Sequence, residues 1–428
     1  MQLNYKRTVL VGLAFLSISA FWQLYDSIIP LILRDTFGLK DTFSGFIMSI
    51  DNILALFMLP LFGALSDKTG KRMPFIVFGT IAAVISMIAV PLAAQSASLP
   101  LFFVALGLVL FSMGAYRSPA VALMPDVTPK PQRSKANAVI NLMGALGGVF
   151  TLVMIFLLTR KQDAASGNYL AVFLAVAALM ICAVLALRFT IPEQRLVQQM
   201  RDINYGVDPA EEATPIEDHG KQKLPPAVMR SLILILVSVS LWFMGYNAVT
   251  TAFTKYATQV WGQNVGQAST CLLVATVGAV VSYLPIGFLS SKIGRKKTIL
   301  IGIVLLSACF AFGAFVAERF SPTLYGMFAL VGFAWAAINV NSYPMVVEIS
   351  RHGDIGKYTG YYYIFSMAAQ IVTPTLSGAL LEHVGYHTLF PYAAVMVALA
   401  FLTMSLTRHG DNKPQKKTSR LEAFDVED

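Results

Sequence analysis

The sequence predicts an all-α integral membrane protein whose 12 transmembrane helices form two pseudo-symmetric six-helix bundles. Three observations predict it: the composition, the spacing of apolar runs, and a repeat between the two halves. Of 428 residues, 56% are hydrophobic and only 13% charged. A soluble globule of this size cannot hide so much apolar surface, so lipid is the solvent for the surplus. A spanning helix takes roughly 20 consecutive apolar residues, which leaves room for about a dozen spans and short loops.

The runs fall at 8–33, 41–65, 74–95, 100–124, 137–159, 168–190, 227–254, 266–290, 298–317, 323–348, 358–381 and 387–407. The first is too long for a signal-peptide core and lacks a small-residue cleavage site, so it reads as a span. Basic residues cluster between the runs, as in Lys68, Lys71 and Arg72, or Lys292, Arg295, Lys296 and Lys297. With the N-terminus inside, inner segments hold about 25 of the 32 Lys and Arg, and outer loops about 6 (Arg34, Lys40, Arg160, Lys161, Lys255 and Arg319). That asymmetry predicts a multi-pass protein of the cell membrane with both termini cytoplasmic. It also accounts for the net charge of +9 without a nucleic-acid partner. Cys182, Cys271 and Cys309 lie inside apolar runs and imply no disulfide framework.

The longest polar segment between spans runs from Pro192 to Pro226 and includes the stretch DPAEEATPIEDHGKQK. It divides the chain into an N-terminal bundle (1–190), a cytoplasmic linker with one or two surface helices (191–226), a C-terminal bundle (227–407) and a polar tail (408–428). The halves repeat. Gly63-Ala-Leu-Ser-Asp67-Lys-Thr-Gly70-Lys-Arg follows the second span, and Gly287-Phe-Leu-Ser-Ser291-Lys-Ile-Gly294-Arg-Lys follows the eighth, a constant shift of 224 positions (287 minus 63). A weaker echo follows the fourth and tenth spans, where Asp126 precedes Lys135 and Glu348 precedes Lys357 at the same spacing. Parallel six-helix repeats are one of the plans on which transporters are built.

The first loop resembles the signature of the major facilitator superfamily, G-x-x-x-D-R/K-x-G-R/K-R/K, with every anchor position present. In that family the loop is a cytoplasmic latch steadying an outward-open state, so the resemblance makes Asp67, Lys71 and Arg72 gating residues. Ser291 replaces the Asp in the second copy, which implies a weaker latch. The stretch Tyr116-Arg-Ser-Pro-Ala-Val-Ala-Leu-Met-Pro-Asp126, followed by Arg133-Ser-Lys-Ala-Asn137, resembles the fourth-span exit of the glycoside–pentoside–hexuronide cation symporters. It is most like their sucrose-transporter and animal sugar-transporter branch, and it adds Asp126 and Arg133 to the gating set. Melibiose-type members carry two Asp residues one turn apart in the second span for sodium. Here Asp51 stands alone, so the proton is the expected coupling ion.

Charge near the bilayer centre costs at least about 2.5–3.5 kcal/mol per residue on insertion scales and therefore marks cavities that act. Asp26, Asp51 and Arg117 are such residues, in the first, second and fourth spans. Rise per residue puts Asp51 near the midplane with Asp26 and Arg117 on opposite sides of it, so Arg117 reaches Asp51 more easily than Asp26. The three are read as a coupling group, one carboxylate carrying the proton and Arg117 acting as its partner or as a substrate ligand; the alternative is a static buried ion pair.

Sugar sites combine aromatic faces with amides and carboxylates. The candidates are Trp22, Gln23, Asp26 and Arg117, with Asn141, in the N-terminal half, and Trp242, Tyr246, Asn247, Trp335, Asn339, Asn341, Tyr362 and Gln370 in the C-terminal half. An amide inside a span must find a hydrogen-bond partner. Gly144, Gly147 and Gly148 form a small-residue face for close helix packing.

The resulting expectation is a monomeric secondary transporter for a small polar solute, most simply a sugar or sugar derivative, working by proton-coupled symport and alternating access. Proton-driven export of amphipathic compounds is the competing transport reading. A membrane-embedded enzyme would need a nucleophile or metal cluster, yet His219, His352, His383, His387 and His409 lack paired ligand spacing. No phosphate-binding loop appears, and a signalling receptor would want a soluble domain. No cofactor or metal is expected.

Overall fold

The computed structural model describes residues 4–128, 133–159, 169–205, 225–316, 319–347, 349 and 355–411. In order the helices are α1 (Tyr5–Asp35), α2 (Asp41–Thr69), α3 (Met73–Gln95), α4 (Leu99–Asp126), α5 (Arg133–Thr159), α6 (Leu170–Thr190), α7 (Glu193–Tyr205), α8 (Pro226–Val260), α9 (Val265–Ile293), α10 (Arg295–Val316), α11 (Thr323–Val347), α12 (Ile355–His383) and α13 (Leu389–Ser405). All but α7 contain a stretch long and apolar enough to cross a membrane, 12 in total among the described residues. Helices are favoured there because each satisfies its own backbone polar groups away from water.

Helix ends follow local chemistry. Asn4 caps α1, its side chain accepting from the Arg7 amide at 3.0 Å, and Asn264 does the same for α9 through the Gln267 amide at 2.9 Å. Gly70 closes α2 with φ +63°, a left-handed turn that an added Cβ would strain. Pro30, Pro60, Pro119, Pro285, Pro344 and Pro374 all lie inside continuous helices.

Two apolar cores form. One gathers α1 to α6 around Phe21, Tyr25, Phe102, Tyr116 and Phe173; the other gathers α8 to α13 around Trp242, Phe253, Phe310, Phe328 and Phe390. The outer surface is equally apolar: Phe78, Phe189, Phe288 and Phe315 are each at least 70% exposed. In water such a surface would aggregate, whereas in lipid it is solvated. The fifth-span glycines pack as a small-residue face. A Cβ on Gly147 would stand 2.0 Å from the Leu16 carbonyl oxygen, so α1 and α5 touch backbone to backbone, and Thr151 donates to the Ala20 carbonyl at 2.8 Å beside that contact.

The halves meet along three helix pairs: α1 with α8, α2 with α12 and α5 with α9. Every described hydrogen bond or ion pair between the halves falls on or beside these pairs, towards the end bearing the α1–α2 and α8–α9 loops. At the opposite end, which carries both termini, the described polar contacts stay within one half.

Candidate functional site between the halves

A small cavity opens where α1 faces the C-terminal half. From α1 it receives Gln23 and Asp26; from α8 Tyr246 and Thr250; from α9 Thr276. Val249, Leu272, Ala275 and Val331 complete much of the apolar wall. Asp26 is half-buried and makes no hydrogen bond or ion pair among the described residues; it interacts through space with Asp51. Tyr246 is held by stacking face to face on Trp335, ring centroids 3.7 Å apart and planes 5° from parallel, with Phe243 edge-on to the same indole at 5.2 Å.

Arg117 occupies a neighbouring position rather than the cavity wall. Its guanidinium lies 5.8 Å from the Trp22 ring centroid, and its electrostatic partners are Asp51 and Tyr363. Asp51 accepts from the Asn52 amide at 2.9 Å and feels the Arg117 charge, although the two are farther apart than an ion pair's 4.0 Å. The three charged residues thus form a chain, Arg117 to Asp51 to Asp26, in which only Asp26 reaches the cavity.

Beyond the cavity the halves are sealed by polar bonds. Lys255 Nζ pairs with Asp41 Oδ1 at 2.8 Å, side chains 6% and 10% exposed, and the Tyr386 hydroxyl donates to Asp41 Oδ2 at 2.7 Å. Arg34 donates to the Lys255 carbonyl at 3.4 Å and to Thr258 Oγ1 at 3.3 Å, and the Thr42 amide donates to Glu382 Oε2 at 3.0 Å. Two glycines allow this approach. A Cβ at Gly45 would lie 2.0 Å from the Pro374 oxygen, and one at Gly378 2.4 Å from the Asp41 oxygen. Lys255, read from sequence as a loop charge, is instead buried inside α8; the helix runs to Val260 because its last turns are covered by α1 and α2.

At the terminus-bearing end Arg72 gathers the loop between α2 and α3. It donates to Asp126 at 2.9 Å and bonds Asp67 and the Ser66 hydroxyl. Burial works against its charge, yet Asp126 and Asp67 hold the guanidinium pKa above its ordinary value. Glu193, the first residue of α7, accepts from the Arg72 and Met73 amides, the latter at 2.9 Å, and so caps α3. Asp411 does the same for α10, accepting from the Arg295 amide at 2.9 Å and the Lys296 amide at 3.3 Å.

The description "Major Facilitator Superfamily" fits residues 11–260 and 232–426 of this chain. The chain belongs to that superfamily. Superfamily relatives include human Hippocampus abundant transcript-like protein 1, 27% identical over 324 residues, covering 72% of this chain and 58% of that protein. Sucrose transport protein SUC3 of Arabidopsis thaliana is 28% identical over 202 residues, 39% of this chain and 34% of that one. The chain thus spans at most about 60% of the length of these curated relatives. Among solved superfamily structures, the inward-open xylose transporter XylE of E. coli superposes with TM-score 0.70 at 17% identity, covering 96% and 97% of the two chains. A POT family transporter bound to 5-aminolevulinic acid superposes with TM-score 0.71 at 10% identity, over 94% and 95%. At such identities the superpositions speak for the fold alone.

Within this superfamily fold, the residues singled out from sequence separate into groups. Gln23, Asp26 and Tyr246 stand in the cavity, and Trp22 turns away towards Arg117 although it shares α1 with them. Trp335 supports Tyr246; Asn339 bonds Tyr283. Asn247 is half-buried beside Tyr246, its amide nitrogen unbonded among the described residues. Asn141 is exposed on the α5 face that also carries Gly148 and Leu152, the latter packed into the other half's core. Three others stand away from the cavity wall. Trp242 is fully buried in the C-terminal core; Asn341 is 1% exposed and donates to its own helix at Ala337; Tyr362 is buried against Ser342 at 3.0 Å. Each spacing marked a packed face, not a cavity face. Gln370 donates to Ser366 within α12 at 3.3 Å. Lys71 is exposed, while the Arg133 side chain and Glu348 lie outside the described residues. Sequence reasoning missed Asp41, Lys255 and Tyr386 of the seal, Glu193 and Asp411 of the caps, and Thr250 and Thr276 of the cavity; lone charges at the edges of apolar runs were the available signal for the first two.

Proposed function

We propose that the chain is a proton-coupled symporter that moves a small polar solute, a sugar or sugar derivative, across the cell membrane by alternating access. The observation that carries the reading is Asp26: a carboxylate in the cavity between the halves, without hydrogen bond or counter-ion among the described residues. A lone carboxylate there is suited to carry a proton, because the neutral form avoids the desolvation cost of a buried charge and relieves repulsion from Asp51. Asp51 keeps Arg117 as its counter-charge. With the basic loops and both termini cytoplasmic, the Lys255–Asp41 seal faces outward. Support for the substrate class comes from the sucrose transport protein among the relatives.

The test is uptake into proteoliposomes from a panel of neutral and acidic sugars under imposed proton or sodium gradients. Proton-driven accumulation is expected. Asp26→Asn should abolish accumulation while sparing solute exchange, whereas Asp51→Asn, which strands Arg117, should weaken both. Accumulation persisting in Asp26→Asn, or driven by sodium alone, would remove the assignment.

A further inference from the structure

The polar groups on the cavity wall are unequal in kind. Thr250 already donates its hydroxyl proton to the Asn247 carbonyl at 3.3 Å, and Thr276 donates to Leu272 at 2.9 Å, so each turns lone pairs to the cavity. Gln23 commits an amide proton to Ser27 at 3.1 Å and keeps its carbonyl oxygen free. Asp26 adds two more acceptor oxygens. Against these stand few donors: the Tyr246 hydroxyl and the second amide proton of Gln23. The wall contains no Lys, Arg or His. Arg117, the intramembrane cation singled out from sequence, serves Asp51 and is absent from the wall. With Asp26 ionised the cavity is negative; with Asp26 protonated it is neutral. In neither state does it offer an anion a counter-charge.

We infer that the cavity selects uncharged, donor-rich solutes and excludes acidic ones, with Gln23, Thr250 and Thr276 as the specificity-determining acceptors and Arg117 outside the solute site. This rests on the cavity being the solute site of the proposed symporter, and it settles between neutral sugars and uronate-like acids. Amphipathic drugs fit the wall poorly because its hydrogen-bonding groups would be left unpaired.

The test reads the cavity with thiol reagents of different charge and so needs no known substrate. In purified full-length protein lacking Cys182, Cys271 and Cys309, cysteine is introduced as Thr250→Cys and, separately, Thr276→Cys. Each is reacted with hydroxyethyl, aminoethyl and sulfonatoethyl methanethiosulfonates, with rates normalised to free thiol. The sulfonate should react at least about tenfold more slowly than the neutral reagent at both positions, since an uncompensated charge enters a low-dielectric cavity poorly. Adding Arg117→Gln should change its rate by less than about twofold, as expected for a charge outside the wall. A sulfonate as fast as the neutral reagent, or one slowed by Arg117→Gln, overturns the inference. Proton-driven uptake of uronates but not neutral sugars overturns it while leaving the symporter standing. The expected labelling order without gradient-driven uptake of any panel sugar removes the symporter reading and leaves the cavity's selectivity supported.

Discussion

Breaking the buried pair at the sealed end should redistribute the two access states by a predictable amount. Lys255 and Asp41 sit 2.8 Å apart. At an effective dielectric near 20 their gross attraction is about 6 kcal/mol, and desolvation cancels most of it. Removing one partner is costly, because it strands a buried charge at roughly 3–5 kcal/mol. In Lys255→Met, Asp41 keeps the Tyr386 hydroxyl and its place at the N-terminus of α2, so about 2–3 kcal/mol is the working figure. When this end opens, water solvates Asp41, and the cost falls on the closed state alone. The population with this end open should therefore rise roughly 30- to 160-fold. A cysteine at Ser49, buried at the seam 3.4 Å from Thr375, reports that population through its rate of alkylation. The exchanged pair Asp41→Lys with Lys255→Asp should return the rate to within a few-fold of the parent. An unchanged rate in Lys255→Met, or no recovery on exchange, would refute the idea that this pair holds the end shut.

Gly45→Ala acts on the same equilibrium by geometry: its Cβ meets the Pro374 oxygen at 2.0 Å only while α2 and α12 are in contact, so alkylation at Ser49→Cys should accelerate without loss of thermal stability. Gly147→Val should lower the melting temperature in detergent by the equivalent of about 1–3 kcal/mol or more, since it forces α5 from α1, whereas Gly148→Ala, 3.7 Å from Gln23 Oε1, should be tolerated. Glu193→Gln removes a charge-assisted cap from α3 and should cost about 1–2 kcal/mol by chemical denaturation. Asp411→Asn should cost a similar amount, as the corresponding cap on α10.

The spans and their grouping were legible because lipid imposes one rule on every element: enough apolar length to cross. Intramembrane charge likewise marked Asp26, Asp51 and Arg117, since few residues are tolerated there without purpose. What sequence could not give was orientation around each helix. Trp242 and Tyr246 are one turn apart on α8, yet the first fills a core and the second stands in the cavity. Aromatic spacing says that a face is covered, not by what. The seal was hidden for another reason. Asp41 and Lys255 are brought together from different halves, 214 residues apart in the chain, so no local periodicity records it. Glu193 was read as part of a solvated linker because its role lies in two backbone amides, which leave no trace in side-chain pattern.

The paired caps have a mechanical consequence. In each half, chain leaving the sixth helix turns back and fastens its carboxylate to the start of the third, through Glu193 on one side and Asp411 on the other. Each half is thereby strapped from its sixth helix to its third near the membrane face where, among the described residues, the halves are not bonded to each other. A bundle strapped in this way resists shear among its own helices, and relative motion is displaced to the seam, where two glycine crossings, the Lys255–Asp41 and Lys40–Glu382 pairs and the hydrogen bonds around them would have to part.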